Sequence, residues 1–459
     1  MASTYLNKTF STTGNRQKFT LSMWFKRGIV PVGNQSGTER MLFNAYQDSS
    51  NQDQIWLQSN GTINYVRNNA NAVTPSQVLR DPAAWYHVVF AGDTTQGSNA
   101  DRLKVYINGT QAPIGQQDTI TQGSNFGAIN NAQLSTFGRR NGSNDWYFDG
   151  SMANIEMVDG QQYGPEYFGS TDTATGIWKP GGSSAISDYG TNGYRLKMDT
   201  TSPGADTSGK GNTFTPSGTP TLLQGSPSNV YANLNPLDNK FSTDAVFSNG
   251  NTYVAAGGAG NGRFYSTLGM VSGKYYCEIK NVSGSGGTPL FAVTGTSNYA
   301  LSGSGSPLSS QLYDYALYNG NVYNNDATVG GTWGTPSDGN IIGIAINLDN
   351  EQGGLNKLYF SINGVWQNGA DPSNLTSVTG VVGITKPENM TGNGVGAYFF
   401  ACGDDNSFAE RRFATNFGEG FFQTTAAGTE ADDNGQGLFA YDVPAGFYAL
   451  NTKNLEAYG

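Results

Sequence analysis

Short runs of alternating apolar and polar residues recur along the chain, each closed by a turn residue. In FTLSMWFK (19–26), Phe19, Leu21, Met23 and Phe25 fall on one face of an extended segment, and Thr20, Ser22 and Trp24 on the other. RMLFNAY, DQIWLQS and TINYVR follow at short intervals, and WYHVVFAG (85–92) is apolar almost throughout, as a central sandwich strand can be. LKVYINGTQ (103–111) ends in Asn108-Gly109, a two-residue hairpin signal, because both positions of such a turn require positive φ. The same word returns at 358–367 as LYFSINGVWQ, with Leu358, Phe360 and Ile362 on one face and Tyr359 and Ser361 on the other. Two sheets can reach this solution independently, so the repeat speaks for fold.

The pattern predicts an all-β chain of two antiparallel β-sandwich domains joined by an irregular connector. The first domain takes residues 1–165. Residues 166–235, rich in Gly, Ser, Thr and Pro, read as the connector, with GYRLKM as one strand candidate. Strand signals resume at DAVFSNGNTYVAA, RFYSTLGM and KYYCEIKNV and run on to RRFATNFG, which places the second domain at 236–422. The tail, 423–459, carries aromatic anchors without a long periodic element and is expected to pack on a domain or a partner.

Composition supports this reading. Gly, at 63 of 459 residues, is about twice its usual share, and only 13% of residues are charged. Such a chain suits exposed turns and forms helices poorly. The net charge of −10 and basic residues confined to pairs such as Arg139-Arg140 and Arg411-Arg412 argue against nucleic acid as a partner. No apolar run is long enough for membrane insertion, and the N-terminus lacks the apolar core of a signal peptide. Cys277 and Cys402 read as two buried free thiols.

FTLSMWFKRG, WYHVVFAGD, LKVYINGTQ and YFDGSMANIEMVDGQ together resemble the laminin-G-like, concanavalin A-like lectin domain of many phage and environmental viral proteins. SGKYYCEIKNV, IIGIAINLDN, LYFSINGVWQNG and RRFATNFG resemble, in order, the strands of a SPRY domain. The resemblance implies jelly-roll-like sandwiches in both domains, and a bacteriophage virion protein, made in the host cytoplasm and carried in the virion as a short tail fibre or a tail or capsid appendage. Its implied partners are other virion proteins and a host cell-surface glycan or protein. It further implies a homo-oligomer, with a trimer suggested by analogy to phage fibres. A capsid-decorating or tail-connecting structural role is the alternative, and a polysaccharide depolymerase a second one.

The chemistry expected is recognition, not catalysis. Glucanases of the concanavalin-like type carry acids in the pattern Glu-x-Asp-x-x-Glu. Here NIEMVDG offers only Glu156 and Asp159, whose offset of three puts them on opposite faces of a regular strand. Asp349 and Glu351 are read as a loop entry. His87, the only histidine, has no nucleophile motif near it and is read as structural. The candidate ligand-binding residues are turn-associated aromatics: Trp56, Trp146 and Tyr147 in the first domain, Tyr323 and Trp333 in the second. No cofactor is required by any motif. Calcium is a candidate for the first domain through Asp93, Asn99 and Asp101 in GDTTQGSNADR, which offers oxygen ligands without EF-hand spacing.

Overall fold

The computed structural model describes residues 4–28, 39–199, 201–238, 244–256, 261–284, 287–301, 307–349, 355–405 and 410–459. The chain divides into two units, Met1–Leu222 with Ser226–Ser228, and Leu223–Gly225 with Asn229–Gly459. Each is a pair of stacked, dominantly antiparallel sheets around its own core, and no sheet closes into a barrel. Among the described residues no helix is long and apolar enough to cross a membrane.

In the first unit an eight-stranded sheet contains Tyr5–Thr9, Arg40–Asp48, Asn51–Leu57, Ile63–Arg67 and Leu134–Phe137. The facing six-stranded sheet is built on Lys18–Lys26, Tyr86–Asp93, Leu103–Ile107 and Ser151–Asp159. Phe19, Leu21, Met23 and Phe25 point into the space between the sheets, where they meet Phe43, Ile55, Leu57, Val88 and Phe90. The alternation in the sequence thus marks the inner face correctly.

The stretch 166–235 is less of a connector than its composition suggests. Tyr194–Leu196 pairs with Ser151–Asp159, and Thr215–Ser217 pairs with Tyr5–Thr9, adding a strand to an edge of each sheet. Tyr194, Leu196 and Phe214 enter the core of the first unit. Phe168, Ile186 and Tyr189 cover Val89 and Val158 in a separate cluster. Strands of three residues are too short to display a period, which is why this region reads as irregular.

The second unit repeats the plan. A nine-stranded sheet holds Lys274–Gly284, Ile341–Asn347, Asn356–Ile362 and Arg411–Asn416; a six-stranded sheet holds Pro289–Thr296, Asp314–Tyr318, Asn321–Asn324 and Gly394–Asp404. Leu358 and Phe360 face the central core, whereas Tyr359 on the opposite face is 1% exposed. It is covered by the tail, whose Phe439, Phe447 and Ala449 cluster with Tyr276, Ala345 and Tyr359. Glu278, fully buried, accepts hydrogen bonds from the backbone N–H groups of Ala440 (2.9 Å) and Tyr441 (2.9 Å).

Both Asn-Gly words form the same device. Asn108 (φ 48°) and Gly109 (φ 79°) make one turn, Asn363 (φ 48°) and Gly364 (φ 78°) the other, as a primed hairpin turn requires. Each asparagine exchanges two bonds with the neighbouring strand: Asn108 with His87 (2.8 and 2.9 Å), Asn363 with Ile341 (2.9 and 2.8 Å). Each glycine also receives a ring from a later segment. A Cβ at Gly109 would lie 2.5 Å from the Trp178 ring, and one at Gly364 would lie 2.5 Å from the Tyr441 ring.

Candidate functional site

Three of the aromatics singled out in the sequence converge on one face of the first unit. Trp56 stacks on Trp146, with ring centroids 4.1 Å apart and planes within 10°. Arg140 places its guanidinium carbon 3.7 Å from the centre of the Trp146 ring. Beside them Arg139 lies 3.8 Å from the centre of the Tyr5 ring, and Tyr147 packs 6.4 Å from Tyr5. All six side chains are half-buried.

The turn 141–144 builds this face. Arg140 and Asp145 close it through a backbone bond of 3.0 Å and a bidentate ion pair of 2.6 and 2.5 Å. Trp146 follows at φ 52°, a region that disfavours a bulky residue by about 1–2 kcal/mol. The stacking, the ion pair and a 2.8 Å bond from the Met41 N–H to the Trp146 carbonyl hold it there. Arg140 is therefore neutralised. Arg139 bonds Asn141 Oδ1 at 2.9 Å and pairs with no carboxylate among the described residues. The face thus offers aromatic surface and one guanidinium whose charge is not balanced locally.

The other candidates lie elsewhere. Tyr323 stands on Asn321–Asn324, half-buried, with its ring 5.4 Å from Tyr318. Trp333 is corrected: it is 6% exposed and packs edge-on against Phe360 in the second core, so its ring is not offered to a ligand. A tryptophan in a glycine-rich stretch reads as a loop residue, but here the loop tucks it inward.

The cation candidates are engaged by protein groups. Asp93 accepts from Thr95 N–H (2.9 Å), Thr95 Oγ1 (2.6 Å) and Gln96 (2.9 Å), and faces Lys18 at 3.2 Å. Asn99 bonds the Asp118 carbonyl and the Ile120 N–H, and Asp101 pairs with Lys104 at 3.1 Å. Among the described residues no group of three or more His, Cys, Asp or Glu side chains is placed to hold a metal ion.

The acids of a hydrolase reading are committed to structure. Glu156 accepts from Tyr189 Oη at 2.5 Å, and Asp159 from Asn15 N–H (2.8 Å), Asn130 Nδ2 (2.9 Å) and Asn192 N–H (3.0 Å). Burial raises the pKa of both above the ordinary carboxylate value. Asp349 accepts from Gly273 N–H and Lys274, and Glu351 lies outside the described residues.

His87 is fully buried, and burial depresses its pKa to about 3. Trp178 Nε1–H donates to His87 Nδ1 at 2.9 Å, so the neutral ring carries its proton on Nε2 and donates it to Ser22 Oγ at 2.8 Å. That polarity is the reverse of a base activating a serine. Cys277 and Cys402 are free and buried, and burial raises both thiols well above their usual pKa.

A laminin-G family model, described as the Concanavalin A-like lectin/glucanases superfamily, matches residues 2–161. No curated protein matches the chain. Among solved structures, the SPRY domain of human HERC1 is similar at 16% identity and a TM-score of 0.29, over 40% of this chain and 96% of that one. A second human SPRY domain is similar at 18% and 0.24, over 37% and 93%. The heptameric SAP-like pentraxin of Limulus polyphemus is similar at 16% and 0.26, over 35% and 72%. Over residues 2–161, therefore, the chain is similar to the Concanavalin A-like lectin/glucanases superfamily.

Proposed function

We propose that this chain is a non-enzymatic recognition protein whose first unit presents the face of Tyr5, Trp56, Arg139, Arg140, Trp146 and Tyr147 to a glycan of a host cell surface. The observation that carries this is the stacked, strained Trp146 beside an Arg139 that pairs with no carboxylate among the described residues. Sugar rings pack their C–H faces on aromatic surface, and a guanidinium supplies directional donors to hydroxyl or carboxylate oxygens. The lectins within the matched superfamily support the same reading. The wider setting is an oligomeric appendage of a phage virion, with a trimer proposed by analogy to phage fibres; it rests on the sequence words shared with phage accessory proteins.

An array of bacterial surface polysaccharides tests the first part. The full chain should bind a subset, and Trp146→Gly should weaken that binding at least about tenfold, the loss of one good stacking contact. Glycine accepts the φ of this position, so the variant keeps its fold. Unchanged binding in Trp146→Gly would remove this face from the reading. Labelling of intact particles tests the second part: protein buried beneath other components would favour a decorating or tail-joining role over recognition.

A further inference from the structure

The second unit contains a cleft that the recognition face of the first unit does not use. It is lined by Asn261, Pro307, Ser309, Tyr318, Tyr323 and Asp326, with Asp405 completing the wall, and has a volume of about 370 Å³. That lies within the range of small-ligand sites, roughly 300–1,000 Å³. The segment Pro307–Ser310 crosses the outer side of the six-stranded sheet and buries Leu308 against Tyr265, Leu290, Ala292 and Ala316. Arg263 holds this segment by donating to the Pro307 carbonyl at 2.7 Å, and Ser309 accepts the Asp326 N–H through its carbonyl at 2.9 Å. The walls are therefore fixed from below.

Two features show what the cleft lacks. Asn261 and Ser309 are 8% and 6% exposed, yet their side chains bond no protein group among the described residues. Buried amide and hydroxyl groups almost always have partners, so polar side chains left open only to a cleft point to a partner inside it. The second feature is charge. Asp326 and Asp405 line the cleft with no Lys, Arg or His among the described residues that line it. Asp405 is oriented by the Thr288 N–H (2.7 Å) and by the Tyr318 hydroxyl, neither of which is a cation. Two basic groups of this unit are already paired: Arg263 with Asp314 at 2.8 Å, both fully buried, and Arg411 with Asp338 at 2.8 Å. Asp404, next in the chain, adds a further buried acid.

We infer that this cleft binds a primary ammonium group, held by Asp405 and Asp326 with Asn261 and Ser309 as further acceptors and the Tyr323 and Tyr318 rings against its carrier. An ammonium has three donors and no acceptor, which matches two carboxylates, an amide oxygen and a hydroxyl. Tyrosine rings add cation–π attraction, worth about 0.5–2 kcal/mol. A neutral polyol would leave the charge of the two carboxylates uncompensated in a half-enclosed space. The group can come from an amino sugar or from a lysine side chain, since the chemistry recognised is the same.

Calorimetric titration of the full chain at about pH 6, where amines are protonated, tests the inference. Glucosamine and glucose differ here by one ammonium, and Nα-acetyl-lysine amide supplies the other source. At least one of the two amines should bind, glucose should bind at least about tenfold more weakly, and raised salt should weaken the amine. Asp326→Asn and Asp405→Asn should each reduce amine binding about tenfold or more. Asp326 is exposed and its carboxylate has no protein partner among the described residues, so its variant reports on binding without disturbing the fold. Whichever amine binds more tightly identifies the source. Equal binding of glucose and glucosamine, no binding by either amine, or amine binding unaffected by both variants would overturn the assignment.

Discussion

Glu278 sits among donors only: Ala440 and Tyr441 through their N–H groups, Asn416 through Nδ2 at 3.3 Å and Tyr276 through its hydroxyl at 3.2 Å. Burial works against the charge those donors favour and lifts its pKa from 4.5 to about 7. With the folded value above the unfolded one, the folded state holds the extra proton. This contribution to stability is whole below about pH 4.5 and is lost as pH rises through 7. Urea unfolding should therefore show roughly 1 kcal/mol less stability at pH 8 than at pH 6.5 from this group. Glu278→Gln should abolish that slope. It should also lower stability at every pH by about 1–3 kcal/mol, because its amide turns a donor toward Ala440 or Tyr441. An unchanged slope in the variant would assign the pH dependence to other groups. His87 opposes this slope at the lower end of the window: at pH 6.5, its ordinary pKa, the unfolded chain takes up half a proton that the folded one refuses, which withdraws about 0.4 kcal/mol there and nearly nothing at pH 8.

At the scale of elements, the Asn-Gly turns separate backbone strain from packing. Gly250 has φ 66° with open space around its missing side chain, whereas Gly364 has φ 78° and the Tyr441 ring against it. Gly250→Ala should cost about 1 kcal/mol, from backbone alone. Gly364→Ala should cost about 1–3 kcal/mol more, and Tyr441→Ala in the same chain should relieve that excess. Equal melting shifts for the two alanines would deny the contact. The turns themselves were legible, because Asn-Gly demands positive φ wherever it stands. The inner faces were legible too, from the period of two in FTLSMWFK and LYFSING. Thr20, Ser22 and Trp24 look like a solvent face by the same logic, yet all are buried. What covers strands of this kind arrives from segments whose own strands span three residues, and no period warns of them. The candidate face was half legible. Trp56, Trp146 and Tyr147 stood out as aromatics near turns, but Tyr5 and Arg139 did not, since stacking across 134 residues leaves no local mark. In the sequence Arg139-Arg140 reads only as a pair too isolated for nucleic acid.

For the whole molecule, two cores imply two folding units whose boundaries differ from those of the strand-rich regions. Residues 1–222 and 223–459, expressed separately, should each melt cooperatively. Residues 1–165 omit Tyr194, Leu196 and Phe214, and residues 229–422 omit Phe439 and Phe447. Each lost side chain removes about 1.5–3 kcal/mol of burial, enough together to exhaust the stability of a marginal domain. The two shorter fragments should be insoluble or bind a hydrophobic dye; a 1–165 fragment melting as cooperatively and as high as 1–222 would disprove the boundary. The rings at the two hairpins also set a timetable for synthesis. Trp178 is made 69 residues after Gly109 (178 − 109), and Tyr441 77 residues after Gly364 (441 − 364). At a translation rate of roughly 5–20 residues per second, each nascent sandwich waits about 4–15 s with its outer sheet bare. During that interval the emerging polypeptide is open to chaperones and to neighbouring nascent chains, and the order of its segments on the ribosome governs when that exposure ends.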